Sequence, residues 1–158
     1  MEVSYKNTLE LLAVLEAQAE EVATYFLFPE VDLAKTYAPG KWTVCQLLHH
    51  LTDAETVLYE RIRRGIARPG QVVWGFDPDC WADQLDYVNR DLGIQQAIYH
   101  SVRRGVIDLA TSHYELAGTR QYVHNETGLR TVKEEFDKVA WHSEHHLKQI
   151  RAALKTSE

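Results

Sequence analysis

Between Asn7 and Phe26 the apolar residues Leu12, Leu15, Ala19, Val22 and Phe26 recur at alternating steps of three and four, the period of a helix with one face turned to a core. The stretch FPEVDLAKTYAPGK that follows carries two prolines and a glycine and is expected to be a connection rather than a regular element. A second helix opens at Thr43, where Thr43 and Gln46 have the spacing of a capping box and Trp42 and Leu47 occupy the flanking hydrophobic-staple positions. From there Leu47, Leu51, Ala54, Leu58 and Ile62 trace one face to about Arg64.

Residues 65–90 break the period and gather Trp74, Phe76, Trp81 and Tyr87 among Gly, Pro and Asp. The segment reads as a long loop whose aromatics either wall a pocket or plug the end of the core. A third helix is expected from about Asp91 to Leu116, with Ile94, Ile98, Val102, Val106 and Leu109 inward. After a turn-like stretch containing Gly118 and Gly128, Thr131 and Glu134 form a second capping-box pattern and open the last helix, with Phe136, Val139 and Ile150 on its buried stripe. Four helices of roughly 20 residues are each about 30 Å long. The fold class expected is all-α: one four-helix bundle spanning residues 1–158, with a long loop between its second and third helices.

Charge and composition narrow the possible partners. A formal net charge of -6, with no Lys/Arg stripe, argues against nucleic acid. No apolar run reaches the roughly 20 residues of a membrane span, and MEVSYKNTLE lacks the order of a signal peptide, so no membrane is expected and the cytoplasm is the expected location. Cys45 and Cys80 lie outside any CxxC spacing and are expected to be ordinary thiols.

The candidate chemistry lies in two histidine doublets. Residues three or four apart share a helix face, whereas neighbours in sequence diverge by about 100°. On that basis His142 and His146 continue the buried stripe of the last helix, while His145 lines up with Lys138, Trp141 and Lys148. In the other doublet His50 falls in line with Leu47, Leu51, Ala54 and Val57, and His49 with Gln46, Thr52, Asp53 and Thr56, so His49 is expected to face outward. Two imidazoles at i and i+4 can share one metal, with a third supplied by a facing helix. Three inward imidazoles without metal or partner would each cost on the order of 1–3 kcal/mol. His50, His142 and His146 are therefore the candidate ligand set. A zincin reading fails, because Ser143 stands where the Glu of HExxH belongs and Glu144 points to a different face from His142.

WTVCQLLHHLTDAE followed far downstream by AWHSEHHLKQI resembles the DinB superfamily of metal-binding four-helix bundles, and within it the YfiT-like branch of candidate metal-dependent hydrolases. FDPDCWADQLD and YVHNETG are similar to that branch's post-helix loop and turn. The resemblance runs from about Gly40 to Ile150. It implies a divalent metal, zinc or nickel, held by His50, His142 and His146, a crossed helix order and a homodimer. It departs at Thr52, Asp53, Ala54 and Glu55, where the branch has Asp-Ser-His, and at Asn125, where the branch has proline.

A metal held by three imidazoles keeps an open position, where a water or a thiolate can be activated toward a small-molecule substrate. The resemblance implies a hydrolase or an S-transferase using a low-molecular-weight thiol such as bacillithiol, and a non-catalytic metal or ligand-binding protein is the third reading. Asp53, one turn past His50, and Glu135, two turns before His142, are the candidate catalytic carboxylates, each with the alternative of being a solvated helix residue. Asp53 and Gln149 are candidates for orienting His50 and His146. His100 and His124 are weaker candidates for pocket lining, and His113 for packing or surface.

Overall fold

Helix α1 (Thr8–Tyr25) begins where the Asn7 side chain accepts the Glu10 N–H at 3.0 Å in the computed structural model, which describes residues 4–155. The next segment, expected to be pure connection, holds one helical turn, α2 (Glu30–Leu33), started by Pro29 in an extended conformation. Helix α3 (Val44–Ala67) opens on the anticipated capping box: the Thr43 N–H donates to Gln46 Oε1 at 2.9 Å, and the Gln46 N–H donates to Thr43 Oγ1 at 3.2 Å.

The region 65–90 is not simply a loop. It contains strand β1 (Val72–Val73) and helix α4 (Pro78–Gln84). Asp77 caps α4 by accepting the N–H groups of Asp79 and Cys80 at 3.0 Å each. Two turns are too short to show a hydrophobic period, and the one local signal, Asp77 followed by Pro78, was not read as a helix start. Helix α5 (Leu92–His113) follows, then a hairpin of β2 (Gln121–His124) and β3 (Gly128–Thr131), then helix α6 (Val132–Lys155). The second capping box also forms, with Thr131 N–H donating to Glu134 Oε2 at 2.7 Å and Glu134 N–H to Thr131 Oγ1 at 3.2 Å.

The turn-like stretch before α6 is thus sheet. β2 is central, parallel to β1 and antiparallel to β3, with Val73 opposite His124 and His124 opposite Gly128. Gly128 closes the hairpin at φ 78°, a conformation that favours glycine. Strands of two to four residues carry too few alternations to be detected from pattern, so the all-α expectation holds for the bundle and misses this small sheet.

Helices α1 and α3 each pack on both α5 and α6, so α1 lies diagonally across from α3, and α5 from α6. Successive long helices are therefore not all neighbours. The core divides into two apolar clusters, one around Leu15, Leu58, Val106 and Phe136, the other around Val22, Leu47, Leu51, Tyr99, Leu147 and Ile150. Between them all four helices contribute a buried polar residue: Gln18, Glu55, Arg103 and Ser143. Arg103 Nε and one terminal nitrogen donate to the two Glu55 oxygens at 2.6 and 2.9 Å, and that same nitrogen donates to Ser143 Oγ at 2.6 Å. Gln18 Nε2 donates to the Ala140 carbonyl at 2.9 Å.

This layer corrects the inward face expected for α5. Its buried line is Gln95, Tyr99, Arg103, Val106 and Ala110, whereas Ile94 is exposed. The aliphatic stripe marked a flank, because the true core line carries two polar residues that hydrophobic periodicity cannot register.

Candidate metal centre

His50 projects from the second turn of α3, and His142 and His146 project from adjacent turns of α6, which packs against α3. The three rings converge just beyond the Glu55–Arg103–Ser143 layer. His142 Nε2 lies 3.1 Å from His50 Nε2 and 3.1 Å from His146 Nε2, and one nitrogen from each of the three fits within a 4.8 Å group. Two imidazole nitrogens bound tetrahedrally to zinc at about 2.0–2.1 Å lie roughly 3.3 Å apart, so the observed spacing is one that could accommodate a shared cation.

Proton accounting gives the same answer. His146 Nδ1 is 2.7 Å from Gln149 Oε1 and donates to it, leaving a lone pair on Nε2. The single proton His142 could carry on Nε2 can point at only one of its two neighbours. A cation between the three nitrogens satisfies all of their lone pairs.

Burial keeps these rings neutral, the form that binds metal. It pushes His50 down to about 3 and His146 to about 4, the latter against the opposing hydrogen bond from Gln149. Burial, then the neighbouring His146 and His50, holds His142 well below 6.5. Aromatic rings close the site on the α3 side, with Trp42 and Phe76 centred 4.9 and 6.1 Å from the His50 ring and Trp81 centred 4.6 Å from Phe76. Of the four loop aromatics, Phe76 and Trp81 thus form a wall, Tyr87 is buried as a plug, and Trp74 is on the surface. Beside His146 and Gln149 lies a cavity of about 330 Å³, lined also by Tyr37, Lys41, Trp42 and Asp79.

Several sequence expectations are corrected here. His49 does not face outward: it is fully buried and stacks on Tyr87 with ring centroids 5.3 Å apart. α2 and α4 contact α3 in addition to its bundle neighbours, covering a face that a two-sided helix would leave to solvent. Asp53 does not reach a ring nitrogen of His50; it accepts the Tyr87 hydroxyl at 2.6 Å, and His50 Nδ1 has no hydrogen-bond partner among the described residues. Glu135 is neither solvated nor at the histidines. It is buried, accepting from Arg61 at 3.4 Å and from the Tyr122 hydroxyl.

His145 is exposed, stacked on Trp141 at 5.6 Å. His100 and His113 lie on α5 outside the cluster, and Cys45 and Cys80 are free thiols. Ser143, in the place of the zincin glutamate, is turned into the polar layer. Sequence reasoning missed Asp79 as a site residue, since it arrives on a short helix whose placement depends on non-local packing. The preceding Asp-Pro start signal was the one local clue.

Comparison with known proteins agrees with this architecture. A protein of Oceanobacillus iheyensis named as a candidate metal-dependent hydrolase is 30% identical over 126 residues, covering 80% of this chain and 72% of that one. The Bacillus subtilis protein YfiT, named in the same way, is 25% identical over 145 residues, covering 91% and 79%. The solved structure of YfiT, described as having an unusual four-helix bundle topology, superimposes with a TM-score of 0.86 at 21% identity, covering 98% of this chain and 89% of that one. The family model of the DinB superfamily matches residues 2–150, and the chain belongs to that superfamily.

Proposed function

We propose that this protein is a metal-dependent hydrolase of small molecules. The observation that carries the reading is the convergence of three neutral imidazole nitrogens beside a cavity that also holds a carboxylate, Asp79. The names of the relatives support it. A divalent cation held by His50, His142 and His146, zinc or nickel as the family resemblance implies, would lower the pKa of a bound water toward neutrality and polarise the substrate's acyl or phosphoryl oxygen. Gln149 fixes the tautomer of His146. Trp42 and Phe76 keep water from the His50 side. Asp79, on the wall of the same cavity, would be the carboxylate available to take up a proton from a water activated there, and Lys41 would meet negative charge at the cavity mouth.

A second reading, S-transfer with a low-molecular-weight thiol, is favoured by the composition of the cluster itself. Among the described residues no carboxylate joins the three histidines, leaving a donor set that accepts a thiolate as readily as water. Action in the cytoplasm, the location expected from the sequence, and a homodimer, implied by the family resemblance, complete the proposal; sedimentation tests the dimer. Among the described residues no helix is long and apolar enough to cross a membrane.

The test uses protein of measured metal content, assayed with ester, amide and phosphoester panels and separately with a thiol plus an electrophile. Turnover of an ester or amide that Asp79→Asn slows while metal is retained supports the hydrolase. Turnover only with thiol overturns it in favour of S-transfer. No turnover in either assay by metal-loaded protein leaves a binding role.

A further inference from the structure

A second cavity, of about 220 Å³, lies where the β2–β3 hairpin meets the first turns of α6, with His124, Thr127, Arg130, Glu135, Lys138 and Trp141 around it. Its acidic groups are already engaged. Glu135 gives its two oxygens to Arg61 and Tyr122, and Glu134, also on the wall, caps α6 through Thr131 and sits 3.7 Å from Arg130.

Apart from Arg130, the donors are not engaged. His124 Nδ1 accepts the Glu126 N–H at 3.2 Å, which places the ring proton on Nε2, and that N–H has no partner among the described residues. Thr127 Oγ1 accepts from Arg130 Nε at 3.1 Å and keeps its own O–H to donate. The Lys138 ammonium makes no hydrogen bond or ion pair among the described residues, although the side chain is half-buried. Burial, the largest influence on this lysine, pushes its pKa down against the opposing charges of Glu135 and Glu126, so the cavity holds a cation at a cost that these carboxylates offset only in part and a bound anion would relieve further. Three unspent donors around one cavity call for a ligand rich in acceptors.

We propose that this cavity is an oxyanion subsite of the metal centre, in which Lys138, His124 and Thr127 bind a carboxylate or phosphate group carried by the substrate. The inference rests on the metal-centre reading above and adds the substrate class to it. Lys138 lies one turn before His142, about 6 Å along the helix axis, so an anchored anion sits close to the converging imidazoles. The hairpin wall is tied to the aromatic wall of the metal site: Gly75 N–H donates to Asn125 Oδ1 at 2.6 Å, and the adjacent Phe76 packs on His50. Trp141 provides an apolar side against which a carbon chain can lie.

The experiment uses inorganic phosphate as the probe, at constant ionic strength, on protein of measured metal content. Binding is followed by calorimetry and by protection of Lys138 from acetylation. Saturable binding is expected, weakened about tenfold by Lys138→Gln with metal content unchanged, the loss of one charge-assisted contact. The exposed control Lys148→Gln should bind as the wild type does. His146→Ala, depleted of metal, should keep phosphate protection of Lys138. The proposal is overturned if phosphate fails to protect Lys138, if Lys138→Gln binds equally well, if Lys148→Gln weakens binding as much, or if protection disappears with the metal. Failure of the hydrolase reading registers in the turnover assays instead and leaves phosphate protection intact.

Discussion

Replacing Arg103 by Met strips the bundle's polar layer of its only cation while leaving the Glu55 carboxylate in place. Both side chains are 1% exposed, so solvent cannot take over the lost contact. The guanidinium donates to both Glu55 oxygens, to Ser143 Oγ and, at 3.2 Å, to the Leu15 carbonyl, joining four helices through one group. Removing one member of a buried ion pair costs about 3–5 kcal/mol, a large part of the roughly 5–15 kcal/mol that holds a domain together. For a chain of this size that corresponds to a fall in Tm of about 6–20 °C.

Burial already pushes the Glu55 carboxyl up, and the Arg103 charge is what opposes that shift. Without Arg103 the carboxyl can escape its penalty by taking up a proton. A folded pKa above the unfolded value favours the fold at low pH, so the Arg103→Met deficit should narrow toward about pH 5. The double variant Glu55→Leu, Arg103→Met removes both charges and should recover most of the loss, to within about 2 kcal/mol of the wild type. Urea unfolding of chelator-treated protein, followed by circular dichroism, measures all three. An Arg103→Met variant within about 1 kcal/mol of the wild type, or a double variant as unstable as the single, would refute a charged, buried pair.

The remaining predictions concern pH and the two reassigned carboxylates. In metal-free protein the folded pKa values of His50 and His146 are about 3 and 4, below their ordinary value of 6.5. The unfolded chain therefore binds more protons between these limits, and stability should be full above about pH 6.5 and fall steadily on acidification toward pH 4. Replacing His50 by Asn should flatten that slope in urea titrations; an unchanged slope would mean the ring is not buried neutral. Glu135→Gln should destabilise by about 3 kcal/mol through its broken contact with buried Arg61, and Asp53→Asn should weaken the Tyr87 contact, yet both should bind metal as the wild type does. Metal loss in either variant would return that carboxylate to the centre.

What could be seen in the sequence was local. The two capping boxes located the starts of α3 and α6 because both partners of each lie within four residues. The i, i+4 rule turned His142 and His146 to one face, and the same rule turned His50 inward. What remained hidden depends on partners distant in the chain. His49 is buried because the segment after α4, which shows no hydrophobic period, brings Tyr87 onto that side of α3. Glu135 resembled a solvated helix residue until Arg61 and Tyr122 arrived from other elements. The α5 face was misjudged because a buried arginine satisfied by three other helices leaves no trace in a hydrophobicity pattern. Asp79 and Lys138 acquire a role only once the cavities beside them are closed by the fold.

The central claim is that three particular imidazoles hold one metal. Its most direct test is metal analysis by mass spectrometry, in parallel, of the wild type and the single alanine variants of His50, His142, His145 and His146, each checked for helical content. The wild type and His145→Ala should each carry one equivalent of a divalent transition metal, and the other three should retain a small fraction of it. A wild type that binds no metal after reconstitution, or a His145→Ala variant that loses it as completely as His146→Ala, would contradict the assignment.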